Sequence, residues 1–202
     1  MGIRRFIYPV MVGMMVFPWI FSTMLMGGDQ ELLTPRPLTQ VVTTRLGSVG
    51  TTGTLKLPLI TWGGDVATVY ALDSGGFQSE GLEVSLFLEN NFSKQVEACM
   101  EGRTPYLRGT MGMINVASEV FKKQGIDLVV VCQLTWSTGG DALVTRGNVK
   151  RPEDLRNKNV ALQLYGPHMD YLANILRSAN VPLNSVNFKW FRELTLQTFD
   201  TR

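Results

Sequence analysis

Aromatic and polar side chains recur where predicted strands meet predicted helices, and together they could bind a small molecule. Flat apolar surfaces beside a few convergent polar groups are what a small-molecule cleft requires. The first backbone N–H groups of the helices predicted near Val66, Val116 and Pro167 also favour a carboxylate, sulfonate or phosphate. The predicted ligand-binding residues are Trp62, Gly63, Asp65, Asn91, Asn115, Trp136, Thr138, Tyr165 and His168.

Each of these residues also has a purely structural interpretation. Trp62, Trp136 and Tyr165 can pack into the core, as aromatic side chains at strand ends often do. We expect Asp65 to be the N-cap of the helix that follows it, with a ligand contact as the alternative, and for Asn115 both roles stay open. A carboxylate in the cleft would favour an amine-bearing or heterocyclic solute over a simple anion.

The sequence offers no set of residues that indicates catalysis. His168 is the single histidine, and no nucleophile or metal partner stands at a defined spacing from it. The glycine-rich stretches at residues 47–53 and 63–64 match neither G-x-G-x-x-G nor the P-loop. We therefore predict no catalytic residue, no metal ligand and no cofactor, and we expect His168 to face solvent or a ligand.

Composition narrows the possible partners. The 202 residues are 45% hydrophobic, and 19 basic and 17 acidic residues give a net charge of +2 without a dense basic run. The basic patch that nucleic-acid binding needs is absent from the sequence. The two cysteines, Cys99 and Cys132, lie in apolar patterns, so we expect two buried thiols, with a disulfide as the alternative.

The N-terminal segment has the features of an export signal. Arg4 and Arg5 precede residues 6–26, which carry no formal charge. This pattern is typical of a signal peptide or a signal anchor over residues 1–27, and cleavage and membrane anchoring both stay open. It predicts a periplasmic or extracytoplasmic protein that contacts the membrane if the segment is uncleaved. Residues 28–54 lack periodicity and are predicted to be a linker outside the fold.

Behind that linker, strand and helix patterns alternate. Predicted strands cover residues 55–62, 82–88, 110–114, 126–132, 141–145, 159–165 and 186–190. Because successive strand–helix–strand units require parallel pairing with right-handed crossovers, we predict an α/β fold whose ligands bind at the carboxyl ends of the strands. Residues 55–150 would form a first lobe, a mostly parallel open sheet, with the start of a hinge. Residues 151–202 would begin a second, incomplete lobe.

Two stretches of the chain resemble a known family. Residues 139–144 (GGDALV) and 150–161 (KRPEDLRNKNVA), preceded by GLEV at 81–84, are similar to solute-binding proteins of nitrate/sulfonate/taurine-type ABC importers. The resemblance covers residues 55–195. It implies a two-lobed periplasmic-binding-protein fold of type 2, a hinge near residues 133–160, and docking of the closed form on the permease subunits. The implied solute is a sulfonate, taurine, nitrate or a thiamine-related pyrimidine.

The chain departs from that family in two respects. Asn157 stands where the family has a glycine, and family members are considerably longer, so the resemblance implies a C-terminally truncated chain. One alternative function is therefore a fragment that no longer binds solute. Another is an enzyme of thiamine-pyrimidine synthesis on the same fold, although the cysteine-rich motif of those relatives is missing here.

Overall fold

The computed structural model of this chain describes residues 32–48 and 53–194, all of which belong to one unit, Glu31–Arg202. Helices and strands alternate along most of it, as the sequence predicts. The helices are α1 (Leu38–Val41), α2 (Val66–Asp73), α3 (Gly76–Ser79), α4 (Phe92–Met100), α5 (Met111–Lys122) and α6 (His168–Ser178). The strands are β1 (Leu55–Leu59), β2 (Val84–Leu88), β3 (Asn159–Gln163) and β4 (Asn187–Phe191). Short 3₁₀ turns lie at Gly63–Asp65, Pro152–Leu155 and Leu183–Ser185.

The strands form two parallel pairs. β1 pairs with β2 in the register Leu55↔Val84, and β3 pairs with β4 in the register Asn159↔Asn187. Helices α2 and α3 connect the first pair and α6 connects the second, as parallel pairing requires. The predicted α/β class with parallel strands is confirmed, in the form of a partial periplasmic-binding-protein-like fold.

Two hydrophobic clusters hold these elements together. The first unites α1, α4 and α5 through residues such as Leu38, Val96 and Phe121. The second unites β3, β4 and α6 through residues such as Leu162, Leu172 and Leu176. The inner stripe of α4, comprising Val96, Cys99 and Met100, is buried, in agreement with the expected burial of the Cys99 thiol. In α4 and α5 one apolar face is buried, as expected of an amphipathic helix.

The predicted strand at residues 110–114 is wrong, because this segment begins helix α5. Thr110 is its N-cap, and the Thr110 hydroxyl accepts a hydrogen bond from the Met113 N–H at 3.3 Å. Buried Met113, Ala117 and Val120 then follow at helical spacing. The small polar threonine before this apolar stripe is a start signal for a helix, and the short alternating run concealed it.

The predicted strands at residues 126–132 and 141–145 are also absent from the described structure. Val129, Val130 and Val131 are exposed instead of covered on both faces. The Leu55 N–H group donates to Glu83 O in the ladder with β2. The backbone polar groups of Lys56 and Pro58 therefore point to the opposite, free edge of β1. There the Thr104 hydroxyl donates to Lys56 O at 2.6 Å, and Pro58 has no N–H to offer. This edge of β1 therefore cannot pair with a regular third strand.

The prediction that residues 28–54 lie outside the fold is wrong for residues 38–47. Leu38 and Val42 are buried in the first cluster. Gly47 N–H donates to Met100 O, and a Cβ on Gly47 would collide with the backbone of Glu101. The predicted export signal at residues 1–27 lies outside the described residues. Among residues 32–48 and 53–194, no helix is long and apolar enough to span a membrane.

We expect Leu38→Ala to lower the free energy of unfolding by about 2–5 kcal/mol, because it leaves a cavity in the first cluster. The matched control is Leu32→Ala, since Leu32 is 56% exposed whereas Leu38 is 2% exposed. Urea unfolding followed by circular dichroism would measure both. Equal, small losses in the two variants would show that α1 is not part of the fold.

Candidate functional site

The loops that follow β1 and β2 are joined at the carboxyl edge of the first sheet. Thr61 N–H donates to Asn90 Oδ1 at 2.7 Å, and Asn90 Nδ2 donates to Thr61 Oγ1 at 2.9 Å. This reciprocal pair brings the predicted site residues after β1 next to those after β2. The carboxyl edge of a parallel sheet is where α/β proteins bind ligands.

Asp65 forms a buried ion pair at this edge. Arg108 Nε donates to Asp65 Oδ1 at 2.5 Å, and Ile60 N–H donates to Asp65 Oδ2 at 2.9 Å. The Asp65 side chain makes no capping bond to α2, so the predicted N-cap role is wrong. A guanidinium is a stronger partner for a buried carboxylate than the neutral N–H groups of a helix turn. Sequence reasoning missed Arg108, which lies 43 residues along the chain.

Trp62 covers the guanidinium of this pair. The Arg108 Cζ atom lies 5.1 Å from the centroid of the Trp62 ring, within range of a cation–π contact. A Cβ on Gly64 would overlap both the Trp62 ring and the Thr135 methyl group, so Trp62 can lie here only because residue 64 is glycine. The neighbouring Gly63 faces open space. We call Trp62, Gly64, Asp65, Arg108 and Thr135 the Arg108 cluster.

A separate cavity of about 200 Å³ lies at the carboxyl ends of β2, β3 and β4. We call it the Tyr165 pocket. It unites two predicted site residues, Asn91 and Tyr165, that are far apart in the sequence. Its lining residues are Leu33, Thr34, Arg36, Val41, Asn91, Phe92, Ser93, Gln163, Leu164, Tyr165 and Arg192. This volume is below the usual range for drug-sized ligands and fits a small solute.

The charged residues that line the Tyr165 pocket are both cations, Arg36 and Arg192. No described acidic side chain forms a salt bridge with either guanidinium. Asn91 Oδ1 accepts hydrogen bonds from Ser93 N–H at 3.1 Å and Lys94 N–H at 3.4 Å. Asn91 is therefore the N-cap of α4. The pocket combines positive charge with one apolar wall.

Tyr165 joins the two halves of this pocket. Its hydroxyl donates to Arg36 O at 2.5 Å, and its ring packs against the first hydrophobic cluster although it follows β3. Its backbone lies in the left-handed region at φ 58°, a conformation that costs free energy for a non-glycine residue. Burial raises the pKa of the Tyr165 phenol, so the hydroxyl stays a neutral donor.

The other predicted site residues lie outside both sites. Asn115 is exposed in the first half of α5 and caps no helix, because Thr110 does so. Trp136 is 77% exposed, and Thr138 is also exposed. Trp136 and Thr138 were predicted as site residues because they lie in a polar loop after the predicted strand at residues 126–132. The described structure has no strand there. The structure thus brings Asn91 and Tyr165 together in the Tyr165 pocket and places Trp62 and Asp65 in the Arg108 cluster, whereas Trp136 and Thr138 join neither.

His168 is exposed, as the sequence predicts, and it also contacts a carboxylate. His168 Nε2 lies 3.1 Å from Asp141 Oδ1, and Ser137 Oγ donates to Asp141 Oδ2 at 2.6 Å. Tyr171 OH donates to Asp141 O at 3.2 Å. Because Ser137 bonds the carboxylate and not the imidazole, this trio lacks the base–nucleophile contact of a hydrolytic triad. Asp141 attaches its loop to the first turns of α6.

The two cysteines differ in environment. Cys99 is buried in α4, as predicted, and burial raises the pKa of its thiol to about 11. Cys132 is exposed, which corrects the expectation of a second buried thiol, and both are free thiols. No group of three or more histidine, cysteine or acidic side chains in the described part of the chain could hold a metal ion.

The parallel strand pairs and their connecting helices are consistent with a partial periplasmic-binding-protein-like fold. A family model described as NMT1/THI5 like matches residues 65–195, and the chain belongs to this family. That result confirms the resemblance to solute-binding proteins of the nitrate/sulfonate/taurine type at the level of the family. Most members of the family are substrate-binding proteins, whereas its THI5 members act in synthesis. No curated protein and no solved structure matches the chain.

We expect Asp65→Asn to lower the free energy of unfolding by about 3–5 kcal/mol, because it leaves the buried Arg108 charge without its counter-ion. Glu153→Gln is the matched control, since the Arg151–Glu153 pair is exposed and its atoms lie 3.9 Å apart. Urea unfolding of both variants measures the difference. Asp65→Asn as stable as the control would contradict a buried ion pair.

We expect iodoacetamide to label only one cysteine of the native chain at pH 8. Cys99 is buried and protonated at that pH, because its pKa is raised to about 11, whereas Cys132 is exposed. Intact-mass analysis should show a single adduct that Cys132→Ser removes and a double adduct in urea. Rapid labelling of Cys99 in the folded chain would contradict the packing of α4.

Proposed function

We propose that this chain is the extracytoplasmic solute-binding component of an ABC importer and that it captures a small organic or oxyanion solute in the Tyr165 pocket. The observation that carries this proposal is the position and charge of the pocket. It lies where β2, β3 and β4 end, and the charged residues among those that line it are Arg36 and Arg192. Membership of a family of mainly substrate-binding proteins supports the same role.

The pocket favours an anionic group. An arginine presents several donors in a plane that matches carboxylate and sulfonate geometry, and two such cations would attract an oxyanion before contact. The Tyr165 ring and Val41 supply apolar surface for a short organic part of the solute. We therefore place sulfonates without an amino group first among the solutes suggested by the family. Nitrate, the aminosulfonate taurine and pyrimidines follow.

The state of Asp65 supports this ranking. A free carboxylate in the cleft would have favoured an amine-bearing or heterocyclic solute. Arg108 neutralises Asp65, and the Asp65 side chain is buried away from the Tyr165 pocket. A purely anionic solute therefore meets no opposing carboxylate from Asp65, whereas the ammonium group of taurine gains no partner there.

The transport steps form the rest of the proposal. In a two-lobed binding protein, closure about a hinge traps the solute, and the closed form docks on the permease. The predicted export signal at residues 1–27 would bring the chain to the periplasmic or extracytoplasmic side of the membrane, where such a permease is reached. In this proposal the membrane contact is made by the permease and, if it stays uncleaved, by that N-terminal segment.

We expect methanesulfonate to raise the melting temperature of the full-length chain. A ligand that binds only the folded state at one hundred times its Kd adds about 2.7 kcal/mol, which corresponds to roughly 5–10 °C for a chain of this size. Differential scanning fluorimetry with methanesulfonate, nitrate, taurine and a thiamine-related pyrimidine would rank the solutes. Sodium chloride at equal ionic strength controls for screening.

Charge-removing variants test whether the shift arises in the Tyr165 pocket. Arg36→Gln combined with Arg192→Gln should abolish the methanesulfonate shift, whereas Arg177→Gln, an exposed arginine on α6 outside the pocket, should keep it. No shift with any solute would oppose the binding role and favour a non-binding fragment. A shift that survives in the double variant would place the solute elsewhere.

A further inference from the structure

Residues 128–136 form an exposed apolar segment without regular secondary structure. We call them the Cys132 segment. Their sequence, LVVVCQLTW, contains no charged residue, no proline and no glycine. The side chains of Val129, Val131 and Trp136 are between 76% and 79% exposed. Contiguous exposed apolar surface of this kind marks an interaction site.

The backbone of the segment is unpaired as well. No backbone–backbone hydrogen bond of the described chain uses residues 127–134. Most of the side chains are of the β-branched and aromatic types that strands prefer, and such a run is a template for pairing with another strand. The free edge of β1 does not take it up, because Thr104 and Pro58 block that edge. Its partner strand is therefore not among the described strands.

The charges on either side of the segment favour a second copy of this chain as the partner. Residues 121–127, before the segment, contain two lysines and one aspartate, which leave one net positive charge. Residues 137–143, after it, contain Asp141 as the one charged residue, which leaves one negative charge. In an antiparallel pair, the basic flank of each copy lies beside the acidic flank of the other, whereas parallel pairing would bring like charges together.

One register aligns the whole uncharged run with its copy. The run is centred on Cys132, so a two-fold axis there places Leu128 of one copy opposite Trp136 of the other. In the same register Val130 faces Leu134. The contact is isologous, because both sides of the axis repeat the same pairs. Each copy supplies the backbone donors and acceptors that the other lacks.

We propose that two copies of this chain associate through antiparallel pairing of their Cys132 segments around a two-fold axis at Cys132. An interface one strand wide belongs to the small, transient class, below about 1,200 Å² of buried surface. The dimer is therefore concentration-dependent. None of residues 128–136 lines the Tyr165 pocket, so dimerisation is independent of the proposed solute capture.

Sedimentation equilibrium of the full-length chain over a range of concentrations tests for the dimer, and we expect a reversible monomer–dimer equilibrium. Val129→Asp should raise the dimer Kd on the order of tenfold or more, because pairing would strip water from two new carboxylates. Val144→Asp is the matched control and should leave the Kd unchanged, since Val129 is 79% and Val144 82% exposed. A monomer at every concentration, growth beyond two copies, or equal effects of the two variants overturns the proposal.

Crosslinking of the full-length chain with a short bismaleimide tests the register. Cys132 is exposed and Cys99 is buried, so the reagent reports on position 132. We expect a covalent dimer, because facing residues of antiparallel strands have Cα atoms about 4.5–5.5 Å apart. Val129→Cys in a Cys132→Ser chain should give on the order of a tenth of that product or less. Its two thiols would lie six residues apart along the pair, about 20 Å, beyond the reach of the reagent. Equal crosslinking at both positions, or none at position 132, overturns the proposal.

Discussion

The buried pair of Asp65 and Arg108 is the contact on which the carboxyl edge of the first sheet depends. The Asp65 carboxylate accepts a hydrogen bond from Ile60 N–H after the end of β1. The Gln95 side chain of α4 accepts one from the Arg108 main-chain N–H. Gln95 Nε2 in turn donates to Glu89 O at the end of β2. These bonds connect β1, the loop before α5, α4 and β2 in one polar network. Because every member is buried or half-buried, the network fixes one arrangement of these loops more than it adds stability.

A second constraint links the residues around β3 and α6 to those around α4 and α5. A Cβ on Gly112 would collide with the carboxylate of Asp170, so the glycine lets α6 approach the first turn of α5. That turn is the positive end of a helix dipole, which favours the nearby carboxylate. Tyr165 adds its bond to Arg36 and its packing against the first cluster. Of these contacts, the one between Tyr165 and Arg36 lies in the lining of the Tyr165 pocket.

Arginine side chains lie in both the Tyr165 pocket and the Arg108 cluster, where Asp65 balances the charge of Arg108. The Tyr165 pocket is lined by two arginines, and the Arg108 cluster contains an arginine whose counter-ion occupies only Nε. A chain with a net charge of only +2 thus concentrates cations where its strands end. In a parallel α/β fold that edge is the ligand side, and the positive charge of the Tyr165 pocket is the basis of the proposed preference for anionic solutes.

The sequence by itself determined the α/β class, the parallel pairing, the family, and the burial of the α4 stripe. Alternation of strand and helix periods is a local signal, and parallel pairing follows from it. It also placed Trp62, Asn91 and Tyr165 in loops that follow the carboxyl ends of strands. It misplaced the strands at residues 110–114, 126–132 and 141–145, because apolar composition does not say whether a partner strand exists.

Only the tertiary structure decided the partners of individual side chains. Arg36, Arg108 and Arg192 carried no local signal, since an arginine in a loop usually faces solvent. The sequence predicted Asp65 to be a helix cap, but in the structure its carboxylate pairs with Arg108, 43 residues away. The sequence placed Leu38 in a linker, but in the structure residues of α4 and α5 bury it. Periodicity reports which face of an element is apolar, whereas ion pairs and pockets depend on contacts between distant segments, which periodicity does not encode.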